Sequence, residues 1–351
     1  MTNRIKVLVV DDSALIRSLL SEIINQDPEL MLVGAAPDAY VAKDMVNSYR
    51  PDVITLDVEM PKVDGLTFLD RLMKARPTPV LMVSSLTEQG AEVTLKALEL
   101  GAIDYFPKPK LDIASGIEQY RDEIVAKIKQ VAKAKIQERK QRKAASPSYS
   151  FKFKTSEKII AIGASTGGTE ALMSVLSSLP VDTPAMVITQ HMPPGFTKTF
   201  ANRLDANCPI RVKEAEEGER LLPGCAYIAP GDRHLLVVRS GADYRVKLSD
   251  GERVTGHKPS VDVMFRSVAQ AVGQNALAVI LTGMGKDGAI GMLDVAHAGG
   301  ITLAQDEASC VIFGMPKAAI QAGGVARIAP LSDIPGTIVS TINQLGQDYR
   351  V

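Results

Sequence analysis

Residues 158–169 read KIIAIGASTGGT. The apolar run at the start of this stretch is typical of a buried parallel strand. The glycines after it permit a sharp turn, and a helical pattern begins near Thr169. The same order of strand, glycine turn and helix returns in AMVITQHMP (185–193) and ALAVILTGMG (276–285), with shorter predicted strands at Ala226–Ala229 and Leu235–Arg239. This repeated order of strand, turn and helix predicts a doubly wound α/β sheet in the carboxy-terminal part of the chain.

The amino-terminal part shows the same alternation with different residues. Its apolar runs predict strands at Lys6–Val10, Met31–Ala35, Val53–Leu56, Val80–Val83 and Ile103–Phe106. Amphipathic patterns between these runs predict helices, and the first helix follows Asp12 and Ser13, either of which can cap it. The βα units within residues 1–125 predict a separate doubly wound parallel sheet, with its ligand site at the carboxyl ends of the strands.

Charge is distributed unevenly along the chain. The net charge is −7 over residues 1–125, +9 over residues 126–158 and −2 over residues 159–351. A basic stretch can bind nucleic acid, but this one lacks interleaved aromatic residues and carries apolar residues at helical spacing. We therefore predict a solvated helix and linker there, and no nucleic-acid partner.

The length and the basic stretch together predict the domain boundaries. At 351 residues the chain is about twice the usual length of a domain. A helical pattern runs from Ile124 to Lys143, and AASPSYS after it has the small and polar residues of a linker. We predict one domain at residues 1–125, a basic helix and linker at residues 126–155, and a second domain at residues 156–351.

Several features predict a protein of the cytoplasm. The cysteines Cys208, Cys225 and Cys310 are few, widely spaced and odd in number, which argues against a disulfide framework or a zinc site. The first residues pass directly into paired acids rather than the apolar run of a signal peptide. The sequence has no apolar stretch of membrane-spanning length, so we expect no direct membrane insertion.

Carboxylates follow two predicted strands of the amino-terminal sheet. Asp11 and Asp12 end the first strand and Asp57 ends the third, so their side chains are expected at one edge of the sheet. Such oxygen ligands suit Mg²⁺, which commonly combines one or two carboxylates with phosphate oxygens, and one carboxylate can then accept phosphate. Ser84 and Lys108 end the next two strands, and Lys108 is able to pair with phosphoryl charge. Taken singly, each residue is equally well explained as a cap or a solvated side chain.

Three residues of the carboxy-terminal part suggest a nucleophile and its partners. Gly163, Ser165 and Gly167 form a GxSxG turn that presents a hydroxyl, although such a turn alone more often binds a phosphate. A serine nucleophile needs a base that is oriented by an acid. His191 and Asp287 both follow strands of the same predicted sheet and supply these groups.

The remaining histidines are less suited to that role. His297 lies on a predicted helix, while His234 and His257 lie in polar stretches away from the apolar strand ends. The order Ser, His, Asp also differs from that of the α/β-hydrolase fold, so GxSxG does not indicate that fold here. We therefore expect the triad to use His191.

The motifs resemble those of a known family. VVDDS, LDVEMPKVDGL, the serine and KP resemble a response-regulator receiver of flavodoxin-like fold, while IGASTGG, TQHMPPGFT, APGDRH, GHKPSVDVMF and LTGMGKDGA resemble the Rossmann-like catalytic domain of the chemotaxis protein-glutamate methylesterases. The resemblance covers both predicted domains.

The resemblance implies a role for each site residue. In the receiver it makes Asp57 the phosphoacceptor, Asp11, Asp12 and Asp57 the Mg²⁺ ligands, and Ser84, Tyr105 and Lys108 the residues that sense the phosphoryl group. In the catalytic domain it makes Ser165 the nucleophile, His191 the base, Asp287 the orienting acid and the Met284 amide an oxyanion donor.

The resemblance also implies the reaction and the partners. The substrates would be γ-methyl glutamyl esters, and certain glutamines, on methyl-accepting chemoreceptors, and a chemotaxis histidine kinase would donate phosphate. Ester hydrolysis itself would need no cofactor.

Two other classes of function are open from the residues alone. A nucleotide-binding domain would use IGASTGG for phosphate, but the acidic residue expected about 20 positions later is not evident. A response regulator that binds DNA would use the basic stretch, but residues 159–351 are slightly acidic and contain no recognisable DNA-reading module. The nucleotide-binding alternative also does not explain His191 or Asp287.

The position of the two predicted sites leads to a prediction about regulation. Both predicted sites lie at strand ends, so we expect the unphosphorylated amino-terminal domain to cover the serine site, and phosphorylation to favour an open state. A fragment of residues 146–351 should then hydrolyse receptor esters faster than the unphosphorylated full chain and should not respond to a phosphodonor. Released methanol is the measurement, and a slower folded fragment would show that the amino-terminal domain activates rather than inhibits.

Overall fold

The structure is a computed structural model, and it describes residues 4–60, 63–85, 87–108, 117–136, 150–151 and 157–345. The chain divides into two compact units, with the division between residues 140 and 141. Each unit is an α/β fold of its own. None of the described helices is both long enough and apolar enough to cross a lipid bilayer.

The first unit alternates strands and helices throughout. Its strands are Ile5–Val10 (β1), Leu30–Ala36 (β2), Val53–Asp57 (β3), Val80–Ser84 (β4) and Asp104–Pro107 (β5). Its helices are Ala14–Gln26 (α1), Ala39–Tyr49 (α2), Gly65–Ala75 (α3), Glu88–Glu99 (α4) and Ile117–Val131 (α5). The predicted strands are confirmed to within one or two residues at each end.

The five strands of the first unit form one parallel sheet in the order β2-β1-β3-β4-β5. The chain leaves β1 toward β2 on one side and returns to β3 on the other, so the strand order reverses between β1 and β3. In open α/β sheets a ligand binds at such a reversal, beyond the carboxyl ends of the strands. The ends of β1 and β3 carry the predicted acidic cluster.

The helix that was expected from Ile124 to Lys143 has different bounds. It begins at Ile117 and ends at Val131, and residues 134–136 are not helical. Ile124, Ile128 and Val131 are each at most 1% exposed, so the apolar stripe packs within the first unit. Lys127 also pairs with Asp104 of β5. Residues 137–149, which include most of the predicted linker, lie outside the described residues.

The second unit is larger and contains two sheets. Its strands are Ile159–Ala164 (β6), Ala185–Gln190 (β7), Arg211–Glu214 (β8), Cys225–Ile228 (β9), His234–Ser240 (β10), Asp243–Ser249 (β11), Ala276–Ile280 (β12), Ile301–Gln305 (β13) and Arg327–Ala329 (β14). Its helices are Gly168–Leu176 (α6), Phe196–Asn207 (α7), Val261–Val272 (α8), Ala289–His297 (α9), Met315–Gln321 (α10) and Ile334–Leu345 (α11), with a 3₁₀ turn at Gly273–Asn275.

Seven of these strands form a parallel sheet in the order β14-β13-β12-β6-β7-β9-β8. The doubly wound prediction is confirmed, and the strand order reverses between β6 and β12. The predicted strand Leu235–Arg239 belongs instead to the antiparallel hairpin of β10 and β11. Strands β8, β11, β13 and β14 were not predicted. β8 and β14 are short and only partly buried, so they lack an apolar run.

Close packing of α8 against the sheet depends on glycine. A Cβ on Gly163 of β6 would lie 2.3 Å from Cγ1 of Val261, the first residue of α8. A Cβ on Gly291 of α9 would lie 2.6 Å from Cβ of Phe265 in α8. The absence of these side chains brings the start of α8 onto the reversal point of the sheet.

Replacing Gly291 with alanine should therefore destabilise the second unit. Overpacking costs about 1–3 kcal/mol, and the better helix propensity of alanine returns about 1 kcal/mol. We expect a net loss of about 1 kcal/mol, or a fall in Tm of about 2–4 °C by calorimetry. Ile290→Ala is the matched control, because Ile290 is 49% exposed and its loss should cost little. An unchanged Tm in Gly291→Ala would contradict this account of the packing.

Candidate functional site

Three adjacent strands carry the predicted triad at their carboxyl ends. Ser165 directly follows β6, His191 directly follows β7, and Asp287 lies in the turn between β12 and α9. β12, β6 and β7 are neighbours in the sheet, at the point where the strand order reverses. The structure therefore brings these three predicted residues to one edge.

The turn after β6 holds Ser165 in a fixed backbone geometry. The Ser165 amide donates to Thr282 O at 3.0 Å, and the Ser165 carbonyl accepts from Gly168 N at 2.7 Å. The Gln190 side chain donates from Nε2 to the same carbonyl at 3.0 Å. Gly167 has φ +76°, a conformation that strongly favours glycine, and α6 begins at the next residue. This bonding fixes the backbone that carries the hydroxyl.

His191 and Asp287 form a hydrogen-bonded pair. Nε2 of His191 lies 2.8 Å from Oδ2 of Asp287, and both side chains are largely buried. Nδ1 of His191 is buried and has no hydrogen-bond partner among the described residues. An ionised Asp287 can only accept, so Nε2 carries the hydrogen and Nδ1 keeps a free lone pair. The imidazole thus presents Nδ1 as its basic atom.

The amino terminus of α8 holds Asp287 in place. Oδ1 accepts from the Ser260 hydroxyl at 2.8 Å and from the Asp262 amide at 3.1 Å, while Oδ2 accepts from the Val261 amide at 2.7 Å. Burial raises the pKa of Asp287, but the hydrogen bond and charge of His191 and these donors outweigh it and hold the pKa well below its usual range. Asp287 is therefore a permanent anion beside His191.

Met284, the predicted oxyanion donor, lies in the turn after β12. A Cβ on the preceding Gly283 would lie 2.8 Å from Ser165 Cβ, so this turn packs directly against the serine. The Gly283 amide donates a hydrogen bond to Ile312 O at 3.1 Å. Within the described part of the chain, the Met284 amide donates no hydrogen bond to the protein. That amide is available to a negatively charged oxygen.

Two histidines that the sequence placed away from the site belong to its surroundings, so that expectation was wrong. His257 stacks on His191 with ring centroids 3.7 Å apart and ring planes 8° from parallel. Nδ1 of the buried His234 accepts from the Ser260 amide at 3.1 Å. Ser260 before the apolar run of α8 has the pattern of a helix N-cap and was detectable from sequence, whereas the histidine contacts depend on a loop that no local pattern predicts.

The acidic cluster of the first unit forms at the reversal point of its sheet. Asp11 and Asp57 are each 1% exposed, whereas Asp12 is exposed. Ligand oxygens of Asp11, Asp12 and Asp57 lie within 4.8 Å of one another. Nζ of Lys108 lies 2.8 Å from Oδ2 of Asp57 and 3.3 Å from Oδ2 of Asp11. The predicted carboxylates and lysine therefore come together.

This cluster carries more negative than positive charge. Burial, together with the charge of Asp11, raises the pKa of Asp57 to about 6 despite the ion pair with Lys108. Burial likewise raises the pKa of Asp11. A hard divalent cation would supply the missing positive charge, and three carboxylates are a fitting donor set for Mg²⁺. The residues present thus fit the cation that the sequence predicted.

The two other predicted receiver residues lie on the neighbouring strands. Ser84 ends β4, and its hydroxyl accepts from Thr94 Oγ1 of α4 at 2.8 Å. Tyr105 lies in β5 and is 7% exposed, so its ring is inside the fold. Burial raises the pKa of Tyr105 well above its usual value. Thr94 was not singled out from the sequence, because a threonine in a helix gives no distinguishing pattern.

The two units and their sites define a response regulator with a hydrolase as its output domain. The response regulator receiver domain family matches residues 7–115, and the CheB methylesterase family matches residues 160–338. This chain belongs to the CheB methylesterase family and is a methylesterase with a receiver domain.

Similarity to known proteins extends along the whole chain. Protein-glutamate methylesterase/protein-glutamine glutaminase 2 of Pseudomonas aeruginosa is 58% identical over 347 residues, which cover 99% of each chain. The protein-glutamate methylesterase/protein-glutamine glutaminase of Escherichia coli K12 is 55% identical over 349 residues, which cover 99% of this chain and 100% of the relative. The crystal structure of the Thermotoga maritima CheB methylesterase catalytic domain is 41% identical with a TM-score of 0.52, covering 52% of this chain and 98% of that chain.

Proposed function

We propose that this protein hydrolyses γ-methyl esters of glutamate, and deamidates certain glutamines, on the cytoplasmic helices of methyl-accepting chemoreceptors. The names of its relatives supply the substrate chemistry. The observation that carries the mechanism is the Asp287–His191 pair, at the edge where Ser165 stands on the neighbouring strand. The reaction would take place in the cytoplasm, where the receptor helices lie.

In the first step the Ser165 hydroxyl attacks the side-chain carbonyl carbon of the substrate. Nδ1 of His191 takes the hydroxyl proton, and Asp287 stabilises the imidazolium that forms. The carbonyl oxygen becomes negative and accepts from the Met284 amide, a donor of a kind worth roughly 3–4 kcal/mol to the transition state. The tetrahedral carbon then expels methanol, or ammonia from a glutamine, which receives its proton from His191.

In the second step water hydrolyses the ester between Ser165 and the glutamyl group. His191 takes a proton from the water as the new oxygen–carbon bond forms, and the same oxyanion position is used again. Collapse of the tetrahedral carbon breaks its bond to Ser165 Oγ, which recovers a proton from His191. The products are a glutamate side chain on the substrate protein and the regenerated enzyme. This step requires no cofactor.

The acidic cluster would make the hydrolase responsive to phosphorylation. A chemotaxis histidine kinase would transfer phosphate to Asp57, with Asp11, Asp12 and Asp57 holding Mg²⁺, which shields phosphate charge during the transfer. Lys108 already pairs with Asp57 and would pair with the new phosphoryl oxygens. Ser84 would turn toward the phosphoryl group, and Tyr105 would change its rotamer with it.

Loss of Ser165 or His191 should remove most of the esterase activity. We expect Ser165→Ala and His191→Ala each to lower the rate of methanol release by roughly three or more orders of magnitude, because both take part in one chemical step. The double variant should be little worse than either single variant, since their contributions are not independent. His297→Ala, at the exposed end of α9, is the control and should keep full activity. Near-normal turnover by Ser165→Ala would refute the triad.

The phosphoryl group should be attached to Asp57 rather than to Asp11 or Asp12. Asp57→Asn cannot form an acyl phosphate, so phosphate incorporation and its stimulation of hydrolysis should both be lost, while basal hydrolysis remains. The measurements are radiolabelled phosphate bound to the protein and methanol release with and without a small phosphodonor. Undiminished incorporation would place the acceptor on Asp11 or Asp12 instead.

A further inference from the structure

Within the described part of the chain, the His191 imidazole makes a hydrogen bond to one residue and stacks on the ring of another. Its edge bonds to Asp287 through Nε2, at 2.8 Å. Its face lies against the His257 ring, with centroids 3.7 Å apart and planes inclined by 8°. The first contact belongs to the proposed triad, whereas the second has no part in the chemistry described above.

A single hydrogen bond does not determine the plane of a ring. The torsion between Cβ and the ring of a histidine is broad, so it constrains the ring weakly. A moderate tilt of the ring about its Cβ–Cγ bond moves Nε2 little, so the bond to Asp287 survives while the lone pair of Nδ1 turns away from its direction. A flat partner against the ring face opposes this rotation, because tilting the ring brings it into collision with that partner. The stacked His257 ring therefore limits the tilt of the His191 ring, which the bond to Asp287 does not limit.

His257 is itself held by the backbone on both sides. Its amide donates to Val254 O at 2.9 Å, and its carbonyl accepts from the Val254 amide at 3.0 Å. Thr255 and Gly256 between them have φ values of +53° and +84°, as in the tight two-residue turns of hairpins. On the other side Ser260 is bonded to both His234 and Asp287. The loop that carries His257 therefore also holds the acid of the triad.

We propose that His257 is a positioning residue, which keeps the His191 ring in the plane that directs Nδ1 to the Ser165 hydroxyl. This inference rests on the proposed triad, but it assigns to His257 a steric role only. His257 makes no bond to the substrate and transfers no proton. A flat apolar ring at residue 257 should therefore replace it, and a side chain without a flat face should not.

Three variants separate this role from the alternatives. His257→Phe keeps a flat face, His257→Leu fills space without one, and His257→Ala removes the contact. We expect His257→Phe to keep kcat within about threefold of the parent, and His257→Leu and His257→Ala to lower kcat by roughly 10- to 100-fold, the effect of a slightly misplaced reacting group. KM should change little, because the substrate does not touch this ring. His297→Ala is the matched histidine control.

The orientation of His191 can also be measured without turnover. The ¹⁵N chemical shifts of the imidazole report which nitrogen carries the hydrogen. In the full-length parent protein and in His257→Phe they should show one tautomer, with hydrogen on Nε2. In His257→Leu and His257→Ala the hydrogen should stay on Nε2, which still bonds to Asp287, but the imidazole signals should broaden because the ring exchanges between orientations. This signature would not change if His257 only supported the fold of the loop.

Each outcome bears on the proposal separately from the triad. If His257→Phe is as inactive as His257→Ala, the imidazole has a chemical role and positioning by stacking is wrong. If all three variants are fully active, the stack has no role in catalysis. If His257→Ala does not fold, the comparison of His257→Phe with His257→Leu decides. An inactive parent, or an active Ser165→Ala, would instead refute the proposed function itself.

Discussion

The site of the second unit depends on one buried carboxylate and the helix terminus that holds it. An ionised carboxylate without partners is very costly to bury. Asp287 meets this cost with the Ser260 hydroxyl and the first amides of α8, groups that a helix leaves without internal partners. The bond to His191 is then made by a group whose charge and position are already fixed. The packing of α8 on β6, made possible by Gly163, is thus a condition for the chemistry.

The two units place carboxylates at equivalent points of their sheets, but the surroundings shift the pKa values of these carboxylates in opposite directions. Asp287 is surrounded by donors, so its pKa lies well below the usual range. Asp57 is buried beside another acid with one lysine as its counterion, so its pKa is raised to about 6. A carboxylate that only orients an imidazole benefits from permanent neutralisation by donors. In the proposed function Asp57 would receive a cation and a phosphoryl group, and a site with excess negative charge suits that role.

The sequence was most informative where function coincides with strand ends. Ser165, His191, Asp57 and their partners could be placed because apolar runs predict buried strands, and parallel strands end at a common edge. His257 could not be placed, because its position depends on a loop of polar residues that carries no periodic pattern. The start of α5 was missed because the helix was assigned from the basic stretch, although Ile117 and Tyr120 already lie at helical spacing from Ile124.

The resting geometry also indicates which part of the triad moves. Across the described residues, Nδ1 of His191 has no hydrogen-bond partner, so the proton transfer of the proposed mechanism would need Ser165 Oγ and Nδ1 to come closer together. Turning the His191 ring out of its place would strain its bond to Asp287 and separate it from His257. Turning the serine hydroxyl requires only a change between staggered rotamers, with the backbone of Ser165 already held by Thr282 and Gln190. In the proposed mechanism the imidazole is therefore the better-held partner, and a turn of the serine side chain would complete the triad.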